Sequence, residues 1–264
     1  MSTIQLNPRE MMYVASQIED AQSLYGITDG FYGMDGADIA AEISNVQLSL
    51  TNKDYAEMDF DGNFLVKQEI CDIVAICTNR DKYISFDKTK NGSSKIIRFY
   101  IKGDQVIKLT EAEDGYELTS CSYGDIKPGM TAFVEFGDEK PVEGGKIVLE
   151  TDALAKIKGL SEFDNPENEL KSIGCSEVNA KIIYEGLTGF ANYYAMLVMD
   201  FTSAQTEVKS LMFIISDDGI ITLAPVFDED RELIEAHPVS KAVLSEQLNK
   251  ILSEAVPDLV EEFV

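Results

Sequence analysis

The chain opens with a strong helix signal. Asn7 is a good N-cap, Pro8 sits at the first helical position and Glu10 follows at N3. Met11, Val14, Ala15, Ile18 and Ala21 then recur at helical spacing, and Gly26 ends the pattern. A Gly-rich turn (Gly30, Gly33, Gly36) leads to a second helix from Ala37 to about Leu50, with Ile39, Ala40, Ile43, Val46 and Leu50 on its apolar face. Asp59-Phe60-Asp61-Gly62-Asn63 is a turn that caps a third helix, about Phe64 to Cys77.

The period then falls from 3.6 to 2. Tyr83, Ile84 and Phe86 mark one strand. A polar loop, Asp87–Ser94, has Asn91-Gly92 near its centre. Ile97, Phe99 and Ile101 alternate in the next strand, Gly103-Asp104 turn the chain, and Val106, Ile107 and Leu109 return. After an acidic turn at Glu111–Gly115, Tyr116, Leu118 and Ser120 mark a fourth strand. Consecutive strands with short turns predict an antiparallel meander.

Residues 123–148 are rich in Gly, Pro and charge and read as a connector with a short apolar element at Met130–Phe136. The order then repeats. Helical patterns cover about Asp152–Leu160, Pro166–Ile173 and Glu177–Leu187, the last with Ser176 as its cap. Strands follow at Asn192–Thr202, Val208–Ser216 and Ile220–Ala224. Asp217-Asp218-Gly219 forms the hairpin between the last two, read as a type I′ turn because Asp-Gly suits positive φ. A final helix runs from about Val239 to Ala255, with Val243, Leu244, Leu248, Ile251 and Leu252 inward.

At a constant offset, Ile97, Phe99, Ile101, Asp104, Ile107 and Leu109 correspond to Leu211, Phe213, Ile215, Asp218, Ile221 and Leu223. The pattern predicts a pseudo-twofold α+β protein whose two meanders join in one central antiparallel sheet with helical bundles around it. The expected parts are a first half at 1–122, the connector at 123–148 and a second half at 149–264, together one compact domain.

Composition sets limits on partners. The chain has 264 residues, with 47 Asp plus Glu against 22 Lys plus Arg and a net charge of −25. A duplex binder clusters Lys and Arg against phosphate, so nucleic acid is excluded as a partner, and an anionic membrane surface is disfavoured. At 45% hydrophobic residues the chain is not disordered. No apolar run approaches the roughly 18 residues a membrane span needs. Met1–Glu10 is polar and shows no signal-peptide core. Cys71, Cys77, Cys121 and Cys175 are scattered without zinc-ligand spacing and read as buried small hydrophobes. A reduced, cytoplasmic protein is expected.

Candidate chemistry is thin. His237 is the only histidine, read in a loop before Pro238, and no nucleophile motif or P-loop accompanies it. The Asp59–Asn63 turn resembles a calcium loop, but the position where a bidentate Glu belongs is Ile70. Asp228-Glu229-Asp230, with Glu232 and Glu235, is the densest acidic run and is read as a solvated loop or a surface for a basic partner, with a cation site as the alternative. Phe190, Tyr193 and Tyr194 read as core, with an exposed apolar patch as the alternative. No enzyme activity and no cofactor are expected.

The block Leu6, Glu10, Met11, Val14, Ala15, then a small-residue turn and helices, then a meander and a second helix–meander–helix half, resembles the EspG family, the cytosolic chaperones of type VII secretion. It is most similar to EspG-like proteins of Gram-positive type VII secretion loci. The resemblance covers nearly the whole chain and implies a quasi-twofold fold with a central sheet and two helical bundles. It implies a non-enzymatic chaperone or adaptor, needing neither ATP nor cofactor, that binds the apolar tip of a helical secreted protein and keeps it soluble for export. In the family a loop between central strands and the second-half bundle take part in binding. Here they match Phe86, Asp87, Lys88, Asn91 and Ile96, and Val243, Leu244, Gln247 and Ile251 of the final helix. The alternative reading is an acidic immunity protein that neutralises a cognate toxin by plugging a basic site.

Overall fold

The computed structural model describes residues 3–138, 140, 142, 144–151, 166–228 and 231–256. The predicted helical pattern at Asp152–Leu160 lies outside the described residues, as do Glu229 and Asp230 of the acidic run.

The chain is α+β, and ten strands of the described residues form one antiparallel sheet. In chain order the strands are β1 (Thr3–Leu6), β2 (Ala56–Met58), β3 (Phe64–Val66), β4 (Lys82–Lys90), β5 (Ser93–Lys102), β6 (Gln105–Ala112), β7 (Gly115–Cys121), β8 (Ile147–Glu150), β9 (Asn192–Asp200), β10 (Glu207–Ser216), β11 (Gly219–Asp228) and β12 (Arg231–Val239). The described helices are α1 (Pro8–Ser16), α2 (Gly36–Asn52), α3 (Gln68–Thr78), α4 (Ile126–Phe133), α5 (Pro166–Ser172), α6 (Glu177–Thr188) and α7 (Lys241–Ala255). The sheet order is β1-β7-β6-β5-β4-β9-β10-β11-β12-β8, while β2 and β3 pair separately. The hairpin β5–β6 pairs Lys102 with Gln105 and Arg98 with Leu109. The hairpin β10–β11 repeats that register at Ser216 with Gly219 and Met212 with Leu223.

The chain divides into two compact units. The first comprises Met1–Ile84, Ile97–Asp125 and Asp200–Glu207; the second comprises Ser85–Ile96, Ile126–Met199 and Val208–Val264.

In the first unit, the predicted capping box at α1 is present. Asn7 Oδ1 accepts from the Glu10 amide at 2.9 Å, and Glu10 Oε2 accepts from the Asn7 amide at 2.7 Å. The helix ends at Ser16, one turn earlier than the apolar pattern suggests. Beyond the Gln17 cap, Asp20 lies in the left-handed region at φ +58°, so the helical conformation does not continue to Ala21. The third helix also starts late. Phe64–Val66 pairs with Ala56–Met58 as a short hairpin, so the Asp59–Asn63 turn closes a hairpin and does not cap α3. The Asn63 side-chain amide donates to Asp59 Oδ2 at 2.8 Å and the backbone amides of Asn63 and Asp61 donate to Oδ1, which together hold the Asp59 carboxyl below the usual range. Arg80, only 4% exposed, stacks between Tyr25 and Phe201 at 4.6 Å from each ring. Its Nη1 donates to the carbonyls of Ser23, Cys77 and Thr78.

In the second unit, α6 packs closely on β10. A Cβ at Gly186 would fall 2.5 Å from Ile214 Cδ1, so the helix sits against the sheet only because position 186 has no side chain. Leu170, Ala180, Ile182, Ile183, Ile214, Ile221 and Leu223 form the core there. Residues 231–239 form a strand where the sequence predicted a loop. β12 pairs with β11 along its whole length and with β8 from Leu233 to Ala236. Its charged residues and Pro238 hid the alternation. Pro238 is tolerated because the pairing with β8 has already ended at Ala236. His237 therefore sits in a strand, not a loop, with Nε2 3.4 Å from Glu235 Oε2. The β10–β11 turn also differs from expectation. It is centred on Asp217-Asp218, neither of which has positive φ, and Gly219 begins β11, so it is not type I′.

Candidate partner-binding surface

The predicted polar loop Asp87–Ser94 is a hairpin tip. β4 runs to Lys90 and β5 begins at Ser93, leaving only Asn91-Gly92 as the turn. Both residues have positive φ, +51° and +72°, the requirement of a type I′ turn. The polar run Lys88–Lys90 and Ser93–Lys95 conceals two strand ends that extend past the apolar alternation. The tip is anchored at its base. The Asn91 amide donates to the Gly189 carbonyl at 2.7 Å, and Gly189, at φ +88°, is the left-handed C-cap of α6.

Of the residues matched to the family's loop, Phe86 is 1% exposed and lies in an aromatic cluster with Phe133, Tyr194 and Phe213 at centroid distances of 5.6, 6.0 and 6.0 Å. Lys88 is buried along its stem, with Nζ 2.6 Å from Glu135 Oε1 and 5.9 Å from the Tyr194 ring. That ammonium holds the Glu135 carboxyl below its ordinary range. Ile96 is buried, Asp87 is half-buried and accepts from Ser85 Oγ at 3.2 Å, and Asn91 is exposed.

The second matched group lies on α7. Ser240 caps it, its Oγ accepting from the Val243 amide at 3.3 Å. Leu244, Leu248 and Leu252 recur every fourth residue and are buried. Val243, expected inward, is 41% exposed; Gln247 and Ile251 are half-buried. The Gln247 Oε1 atom is buried without a hydrogen-bond partner. The hairpin tip and α7 thus offer Asn91 and Val243 to solvent, while Phe86 and Leu244 support them from the core.

The remaining candidates are structural in their geometry. Cys71, Cys77, Cys121 and Cys175 are free thiols, and burial raises the pKa of each, to about 11 at Cys121 and Cys175. Among the described residues, no group of three or more His, Cys, Asp or Glu side chains is arranged to hold a metal ion. Tyr194 is fully buried, Tyr193 is half-buried with its hydroxyl 3.1 Å from Met212 Sδ, and Phe190 is 56% exposed. Sequence reasoning placed these three aromatics together. It did not single out Asn192 or Glu185, which lie in the same unit as Phe190, because single polar residues at strand and helix ends carry no periodic signal.

No helix of the described residues is long and apolar enough to cross a membrane. No protein-family model matches the chain, and no curated protein matches it. Among solved structures the chain is similar to the Mycobacterium tuberculosis type VII secretion system chaperone EspG5, determined in complex with a PE25–PPE41 dimer. The match has a TM-score of 0.55 at 10% identity and covers 98% of this chain and 97% of that one. The antiparallel sheet, its helices and their order along the chain therefore make up an EspG-like fold.

Proposed function

We propose that this chain is a non-enzymatic chaperone or adaptor that covers the apolar end of a helical, export-destined protein. The supporting observation is the likeness to EspG5 along almost the full length of both chains, in a structure where that chaperone holds a PE25–PPE41 dimer. The physical logic is general. A long helical hairpin with an apolar tip aggregates in water, and a folded partner that buries the tip keeps it soluble. The work would be done in the cytoplasm, before export, and would need no cofactor.

The proposed contact surface is the hairpin tip with Asp87 and Asn91, together with Val243, Gln247 and Ile251 on α7. Phe86, Lys88, Ile96 and Leu244 hold these elements from beneath. A net charge of −25 favours a partner whose apolar tip is rimmed by Lys and Arg.

The test is co-expression with long helical secreted proteins encoded beside this chain. A stable complex on size-exclusion chromatography, with the partner insoluble when expressed alone, is the expected result. A partner equally soluble alone, with no complex formed, refutes the proposal. Relief of a partner's toxicity without any gain in its solubility or export favours the immunity reading instead.

A further inference from the structure

In a chain with 47 acidic and 22 basic side chains, the tip of the β4–β5 hairpin is locally positive. Residues 85–96 carry Lys88, Lys90 and Lys95 against Asp87 alone. The turn at Asn91-Gly92 sets their arrangement. Lys90 and Ser93 close it, so Lys88 stands opposite Lys95. Residues 88 and 90 share one face of the strand, and the residue opposite 88 shares that face too. Asp87 lies on the other face, where it accepts from Ser85 Oγ. Three ammonium groups therefore share one side of the tip. Like charges directly opposite each other weaken a strand pair, so packing of the hairpin does not account for the arrangement.

Glu135 is the carboxylate set against them. It bonds Lys88 at 2.6 Å, and Lys90 and Lys95 add to the pull that keeps its carboxyl ionised. Lys88 is buried along its stem and engaged in that bond. Lys90 and Lys95 are exposed, and neither has an ion-pair partner among the described residues. The tip is also fixed in place, because the Asn91 amide bonds the Gly189 carbonyl. The next residue, Phe190, is 56% exposed and lines one cleft with Lys90. An open aromatic ring and unpaired ammonium groups are thus held side by side, and a partner that meets both has little ordering left to impose.

An extended polyanion does not suit this patch, since the chain as a whole carries −25 and repels it. One or two carboxylates on an otherwise neutral or basic protein do suit it. We propose that the helical partner carries such carboxylates at its apolar tip, where they pair with Lys90 and Lys95 while neighbouring apolar side chains pack on Phe190. This rests on the chaperone reading above and refines it. The basic rim favoured by the total charge gives way to acid where the partner meets the hairpin tip.

The probe is a synthetic antiparallel helical-hairpin peptide with leucines at its turn end. It is made in three versions, with Glu-Glu, Gln-Gln or Lys-Lys beside those leucines. Each is titrated into the isotopically labelled full chain and followed by NMR. Saturable shifts are expected at the backbone amides of residues 89–95 and of Phe190 with the Glu-Glu peptide. The Gln-Gln peptide should bind roughly three- to tenfold more weakly, as two exposed ion pairs imply, and the Lys-Lys peptide more weakly still. The double variant Lys90→Gln, Lys95→Gln should abolish that preference; both side chains are exposed, so the fold is kept. If the total charge governed instead, the Lys-Lys peptide would bind tightest. The inference is overturned by that order, by the absence of saturable shifts at these positions, by equal binding of the Glu-Glu and Gln-Gln peptides, or by a preference that survives in the double variant. Equal binding of all three peptides sinks the acidic tip and leaves the chaperone reading standing. Failure to complex any long helical secreted protein sinks the chaperone reading, and the order of the three peptides is measured independently of it.

Discussion

Glu10 is a carboxylate with no exposed surface, and its removal tests how the first helix is held. Three donors converge on it. Oε2 accepts from the Asn7 amide at 2.7 Å and from Lys53 Nζ at 2.7 Å, while Oε1 accepts from Ser49 Oγ at 2.6 Å. It therefore ties the N-terminus of α1 to the last turn of α2. In Glu10→Ala, the bonds to Asn7 and Ser49 are lost at about 1 kcal/mol each. Lys53 is one-third exposed, so water partly replaces its lost partner and the pair adds only about 1 kcal/mol. Removing the carboxylate also removes the cost of burying it, which offsets part of the loss. The expected net destabilisation is about 2–3 kcal/mol. Glu10→Gln keeps the shape and an acceptor but loses the charge, and should cost about 1–2 kcal/mol. Urea unfolding monitored by circular dichroism, with an unchanged m value, reads both. The reasoning fails if both variants lie within 0.5 kcal/mol of wild type, roughly the scatter of neutral substitutions, or if Gln costs more than Ala.

Two further variants probe the second unit. Gly189→Ala forces a side chain into φ +88° and places its Cβ 3.3 Å from the Asn91 amide nitrogen. It should cost about 1–2 kcal/mol and speed hydrogen exchange at the Asn91 amide; unchanged exchange there would show that the α6 cap does not anchor the hairpin tip. Glu185 binds its proton more tightly folded than unfolded, because burial and Asp218 raise its pKa. Its contribution to stability is therefore greatest at acid pH and is lost as pH rises through the folded pKa. Glu185→Gln should be neutral or stabilising at pH 7 and should lose that advantage in acid, where the carboxyl is protonated in both states. A clear destabilisation at pH 7 in urea titrations would contradict this.

Much of the fold was legible from residue order. The capping pair Asn7 and Glu10, the Ser176 cap, and the alternation through Ile97–Leu109 all act within a few residues, and each of these elements formed where its signal lay. The offset repeat predicted hairpins β5–β6 and β10–β11, which share one register. The misplacements have a common cause. β1, β3, the ends of β4 and β5, and β12 are extended because another strand lies beside them. Leu6 pairs with Tyr116 across more than a hundred residues, and Phe64 takes the strand conformation only opposite Met58. Their own sequences are too short, too polar or too helical in pattern to announce it.

The candidate surface divides in the same way. Phe86 and Leu244 were recognised as apolar positions of a strand and a helix, and burial followed from that. Whether Val243 faced inward was not decided by its spacing, because it sits at the margin of the α7 stripe and its exposure depends on what packs against the helix. The Asn91-Gly92 pair carried a hairpin signal in plain view, yet its anchor at Gly189 joins residues nearly a hundred apart.

The sequence by itself determined the capped starts of α1 and α6, the two hairpins of like register and an acidic chain with little chemistry of its own. Those are properties of composition and of contacts within a turn or two. Tertiary structure alone decided that Asn192 is buried with an unpaired oxygen, that Glu185 lies within reach of Lys181 near Asp217 and Asp218, and that Phe190 remains exposed beside them. Desolvation and charge imbalance depend on which distant segments meet, and one-dimensional spacing does not encode them.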